Sequence, residues 1–129
     1  IISNMKIFDI ENYTEFEKIF NNYTNDFIII NISAIWCKPC NEMKEKLLNF
    51  INSINNNESL FLRIEYDLIE NDENFMKFFE FSKIPYFYIY KNKSKINEFQ
   101  NSNIEFIKNE INAELLKNDD IQFKLTNDF

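Results

Sequence analysis

Cys37 and Cys40 are the only cysteines in this chain of 129 residues, and they sit in the string Trp36-Cys37-Lys38-Pro39-Cys40. Three residues apart, they fall within one helical turn, so both sulfurs can meet on one side of a helix N-terminus. Such an end presents unpaired N–H groups and a partial positive charge, which favour thiolate over thiol. Lys38 adds a cation beside the pair and pushes the same way, while Pro39 restrains the turn. Cys37, ahead of the helix, is expected to be the exposed nucleophile. Cys40, one turn in and more buried, is expected to resolve the mixed disulfide by a second exchange.

Plainer uses of two cysteines compete with this reading. Zinc takes about four ligands, and the chain has no histidine to add to its two thiols, so no metal site is expected. A purely structural disulfide across so short a loop removes little chain entropy. A fold that carries redox-competent thiols but works as a binding adaptor stays open.

Composition narrows the field further. Without histidine there is no Ser-His-Asp triad and no Cys-His pair, and without glycine there is no phosphate-cradling loop or dinucleotide fingerprint. The formal charge is −7 and no block of five or more Lys/Arg occurs, which argues against nucleic acid. No apolar run approaches the ~20 residues of a bilayer span, so no membrane insertion is expected. Fifteen Phe and six Tyr supply the bulk of a packed interior, and the length suits one domain over 1–129. Asn makes up about one residue in six, a bias read as background of an AT-rich coding sequence. Where the backbone needs positive φ, Asn substitutes best for glycine, with Asn25, Asn56 and Asn92 as candidates.

The elements that must hold the cysteines alternate. Lys6 to Ile10 reads as a short strand, and Tyr13, Phe16, Phe20 and Tyr23 mark a helix face. Phe27-Ile28-Ile29-Ile30-Asn31-Ile32 has the near-continuous apolar character of a central strand buried on both faces, and it runs straight into the motif. Met43, Leu47, Phe50, Ile51 and Ile54 form the buried face of the next helix. Leu60 to Tyr66 reads as a strand, and Phe75, Phe78 and Phe79 as a short helix. Pro85 opens the aromatic strand Tyr86 to Tyr90. Lys91-Asn92-Lys93 turns into a strand over Ile96 to Phe99, and Ile104, Ile107, Ile111 and Leu115 close the core with a helix. The order is β-α-β-α-β-α-β-β-α, an α/β class with a central mixed sheet and helices on both faces. The core spans about 6–117, followed by a polar, loosely held tail over 118–129.

Trp36-Cys37-Lys38-Pro39-Cys40 after a buried strand, then Ile84-Pro85 before an aromatic strand, resembles the thioredoxin family over roughly Lys6 to Lys117. The resemblance implies the thioredoxin fold and a redox cycle between Cys37 and Cys40 with no bound cofactor. It implies a cis bond between Ile84 and Pro85, packed against the sulfurs. Ile84 then offers its backbone to an extended substrate segment, and Trp36 lies at the rim of the docking surface.

The chain also departs from that family. Asn31 stands six residues before the first cysteine, where the family usually carries a buried Asp, and Arg63 replaces the Lys that usually partners it. Asn31 cannot accept the proton of the resolving thiol, and Arg63 is left less compensated unless Glu65 or a water helps. The pair Asn31 and Arg63 is therefore expected to favour thiolates while slowing release of the mixed disulfide. Lys38 replaces the commonest family residue, glycine.

The expected function is reduction of protein disulfides, with a thioredoxin reductase or glutathione as electron donor and a monomer as the working form. The alternative is a thioredoxin-fold binding adaptor with little reductase activity. Ile1-Ile2-Ser3 is too short for a secretory leader, and a leader already removed would leave no trace; a cytoplasmic location is the expectation.

Overall fold

The computed structural model describes residues 4–23 and 26–127, with side chains through 117. Its elements are β1 (Lys6–Asp9), α1 (Tyr13–Asn22), β2 (Phe27–Ser33), α2 (Lys38–Ser53), β3 (Leu60–Glu65), α3 (Tyr66–Glu70), α4 (Glu73–Phe78), β4 (Tyr86–Lys91), β5 (Ser94–Gln100) and α5 (Ile104–Asn127). The five strands form one sheet in the order β1-β3-β2-β4-β5. β1, β3 and β2 run parallel, whereas β4 pairs antiparallel with β2 and with β5. The α/β class and mixed sheet agree with the sequence pattern.

β2 lies in the middle of the sheet because its alternate residues are apolar on both sides. Ile28, Ile30 and Ile32 pack with Phe16 and Phe20 of α1, Ile69 of α3 and Phe75 of α4. Phe27 and Ile29 face the other way, onto Met43, Leu47 and Ile51 of α2 and Ile107 and Ile111 of α5. Asn31 continues that second row, on the side of the sheet covered by α2.

Several details refine the sequence expectation. Tyr66 does not end β3 but begins the separate short helix α3. α5 continues past Lys117 to Asn127, so the backbone of the tail is helical to that point; the side chains over 118–129 lie outside the described residues. Asn92 has the expected positive φ, at 50°, and Lys93 joins it at 67°, as a two-residue hairpin turn requires. Asn56 does not, and Asn25 lies outside the described residues. Nor is the Asn content only background. Asn12 accepts the Glu15 N–H to cap α1, Asn103 accepts the Phe106 N–H at the head of α5, and Asn56 donates to Asp26.

At the β4–β5 ladder Tyr86 donates to Glu98 at 2.7 Å. Burial first, and that bond second, push its phenol up to about 12. Glu98 is held below the ordinary carboxylate range, first by its ion pair with Lys95 and then by Tyr86.

Two outcomes follow. Phe16 is fully buried and contacts the rings of Phe20, Phe75, Phe78 and Phe79, so Phe16→Ala should cost roughly 3–5 kcal/mol in urea unfolding. A depressed carboxylate stabilises above its unfolded value and loses that contribution as pH falls through its folded value. The stability lost in Glu98→Gln should therefore be present at neutral pH and shrink toward zero as unfolding is repeated below about pH 4. With the side chain 33% exposed, that loss should be about 1 kcal/mol or less.

Candidate active site

β2 ends at the sheet's middle and hands the chain to a four-residue loop, Ala34 to Cys37, before α2 begins at Lys38. Each member of the loop is tied down. Ile35 donates its N–H to Glu65 Oε2 at 3.1 Å, and its carbonyl accepts from Asn41 Nδ2 at 2.7 Å. The Cys37 N–H donates to the Ala34 carbonyl. Trp36 donates its indole N–H to Asp67 at 3.1 Å and meets the Tyr66 ring edge-on. β3 and α3 thus hold one side of the loop while α2 holds the other.

Cys37 is the N-cap of α2, and its sulfur accepts the Cys40 amide N–H at 3.3 Å. Pro39 occupies the first turn, where an absent N–H costs nothing. The two cysteines form a disulfide with Cα atoms 5.3 Å apart. Cleaved, that bond leaves Cys37 Sγ where a helix end and an amide donor both stabilise negative charge.

The exposure expected of Cys37 needs correction. It is 6% exposed, hardly more than Cys40 at 4%. In the disulfide form both sulfurs sit in a small apolar cluster with Ala34, Tyr66 and Ile84. The sequence could not show this, because the covering residues come from α3 and the approach to β4. The exposed apolar surface belongs instead to Trp36 and Ile35, at 60% and 75%. The Ile84–Pro85 peptide is cis, as the resemblance implied.

The residues named for charge tuning have these partners. Lys38 is largely exposed and lies 3.8 Å from Glu42, a surface pair that contributes little and offsets its charge toward the sulfurs. Asn31 is buried, at 2% exposed, and donates to the Tyr86 carbonyl at 3.3 Å. Arg63 sits opposite Asn31 in the β2–β3 register but turns to Asp9, its partner in β1, at 3.0 Å. The expectation of an under-compensated Arg63 relieved by Glu65 is therefore corrected: Asp9 compensates it. Behind Cys40 a narrow cavity of about 20 Å³ is lined in part by Asn31, Arg63 and Glu65.

Sequence reasoning missed the loop's polar anchors, Glu65, Asp67 and Asn41. The one available signal was Trp36 itself, whose indole N–H needs an acceptor when packed against protein.

The Thioredoxin family profile matches residues 8–113. The chain belongs to the thioredoxin family. A thioredoxin of Ictalurus punctatus is 26% identical over 103 residues, covering 80% of this chain and 94% of that one. Thioredoxin domain-containing protein 2 of Rattus norvegicus is 28% identical over 106 residues, 82% of this chain, though the match spans only 18% of that relative's length. The crystal structure of Schistosoma mansoni thioredoxin superposes with a TM-score of 0.72 at 19% identity, covering 84% of this chain and 94% of that one. Membership and the Cys37–Cys40 disulfide make the chain a thiol–disulfide oxidoreductase with a redox-active pair. Among the described residues no helix is long and apolar enough to cross a membrane.

The N-cap geometry carries a direct test. In the reduced protein, iodoacetamide should alkylate Cys37 well ahead of Cys40, with a midpoint below the ~8.5 of an ordinary thiol. Cys37→Ser should abolish the fast reaction and Cys40→Ser should keep it. Mass spectrometry of the alkylated peptides across pH reads both.

Proposed function

We propose that this chain reduces disulfides in protein substrates, working as one monomeric domain of the cytoplasm with Cys37 as nucleophile and Cys40 as resolving thiol. The observation that supports the reading is the Cys37 sulfur at the head of α2, accepting an amide N–H within a loop braced from two sides. In the reduced form the Cys37 thiolate attacks one sulfur of the substrate disulfide. A mixed disulfide forms, and the other substrate sulfur leaves with the electron pair and takes up a proton. Cys40, deprotonated, then attacks Cys37 Sγ, which restores the internal disulfide and frees the second substrate thiol.

Docking falls to the surface around the pair. Trp36 and Ile35 present exposed apolar area, Ile84 packs against the cysteine cluster, and Pro85 follows it directly before β4. The Ile84 backbone precedes the β4 ladder, which begins at Tyr86, and is placed to pair with an extended segment. Lys38, Asn31 and Arg63 act at longer range: a neutral buried Asn31 adds no negative charge against thiolate formation, while Glu42 and Asp9 offset most of what the cations at 38 and 63 add. A thioredoxin reductase fed by NADPH, or glutathione, supplies electrons to return Cys37 and Cys40 to thiols. No bound cofactor enters the cycle.

Two measurements decide between this reading and a binding adaptor on the same fold. With NADPH and a thioredoxin reductase, the wild type should reduce insulin far faster than Cys37→Ser; equal rates favour the adaptor. Cys40→Ser, lacking the resolving thiol, should retain substrate proteins through Cys37 in bonds that dithiothreitol releases. Partners that survive in Cys37→Ser are bound without chemistry, and they count against reduction.

A further inference from the structure

Resting on the reductase reading above, we propose that Glu65 is the proton acceptor for Cys40, and that its carboxylate passes the proton from the enclosed side of the disulfide to solvent. Resolution requires the Cys40 thiol to lose a proton in a nearly dry setting, at 4% exposure. Something must take that proton.

The cavity behind Cys40 is bounded by Asn31, Met43, Leu47, Lys44, Arg63 and Glu65. Its volume of about 20 Å³ admits one water. Among these residues Glu65 is the only carboxylate. Asn31 has no basic group and spends its amide on the Tyr86 carbonyl, while Lys44 and Arg63 are cations. A second, larger groove of about 220 Å³ opens on the other side, lined by Asp9, Ile10, Lys44, Arg63 and Glu65. Glu65 therefore walls both spaces, one reaching Cys40 and one reaching solvent.

The geometry of the carboxylate suits the task. Glu65 Oε2 accepts the Ile35 N–H, which fixes the side chain and leaves Oε1 for a proton. The charged groups facing it are Lys44 from α2 and Arg63 from β3, the latter already neutralised by Asp9 of β1. The Cys40 S–H proton passes through a water to Glu65, and the freed electron pair on Cys40 Sγ forms the bond to Cys37 Sγ. The Cys37–substrate bond breaks, its pair departs on the substrate sulfur, and that thiolate is protonated by solvent. Glu65 then releases its proton into the open groove.

The test uses the reduced full chain and Ellman's reagent in stopped flow across pH 5.5 to 8.5. The first thionitrobenzoate burst reports attack by Cys37 and the second reports attack by Cys40. Glu65→Gln keeps an oxygen for the Ile35 N–H but cannot take a proton. In the variant the second phase should slow about 10²-fold at neutral pH and climb about tenfold per pH unit. In the wild type it should be nearly flat. The first phase should be unchanged, and Glu65→Asp should recover most of the second phase with its flat profile.

A second phase in Glu65→Gln with wild-type rate and pH profile overturns the proposal. So does an equal slowing of both phases, which assigns Glu65 to holding the loop and nothing more. The reagent needs no protein substrate and no reductase, so loss of the reductase reading shows in the insulin assay while these phases remain measurable.

Discussion

The contact on which the chemistry depends is the bond from the Cys40 amide to the Cys37 sulfur. It makes a sulfur do what an Asp or Asn oxygen does at other helix heads in this protein, where Asn12 and Asp72 cap α1 and α4. A sulfur can hold that place only if the chain leaves β2 in extended geometry at Cys37 and turns helical at Lys38. Pro39 favours the turn, and the ties to Glu65, Asp67 and Asn41 hold the preceding loop still. Those ties together put a helix dipole and a donor at the same atom.

Much of this scaffold is written in local pattern. The near-continuous apolar run of Phe27 to Ile32 is best satisfied in the middle of a sheet covered on both faces, and that position aims the following loop at the end of the sheet. Met43, Leu47 and Ile51 then dictate which side of α2 lies on it. Tyr66 escaped the pattern because its aromatic character suits a strand as well as a helix. Its ring packs against Trp36 and Phe81, thirty and fifteen residues away in sequence. The burial of Cys37 is of the same kind: Ala34, Tyr66 and Ile84 converge from three places in the chain, and no local window contains them.

Ion pairing was the least legible layer, because it follows from strand register. Asp9 faces Arg63 only in the observed β1–β3 register, and a shift of β1 by one residue would move Asp9 to the opposite face of the sheet. From sequence, the nearest acid to Arg63 is Glu65. The two alternate on the same side of β3 yet serve different neighbours, Arg63 turning outward to β1 and Glu65 inward to the Ile35 amide. The polar Asn residues behave likewise. Their number looks like coding bias, but helix heads and a hairpin in a protein without glycine give several of them fixed tasks.

The neutral side chain at position 31 sets the electrostatic terms of the whole site. An ionised group at 2% exposure carries a desolvation penalty of several kcal/mol unless it is paired with near-ideal geometry. With Asn31 there, a single hydrogen bond to the Tyr86 carbonyl satisfies the donor, and Arg63 is released to the half-solvated edge where Asp9 meets it at lower cost. Negative charge is thereby kept away from the apolar cluster around the sulfurs and confined to groups that touch water, Glu65 and Asp67 among them. A thiolate at the head of α2 then faces helix-end donors and no buried anion, while acceptors for protons stand at the boundary, where ionised and neutral forms are both affordable. Stability and reactivity are reconciled by distance: the charges that chemistry needs are placed one residue layer outside the core that holds them.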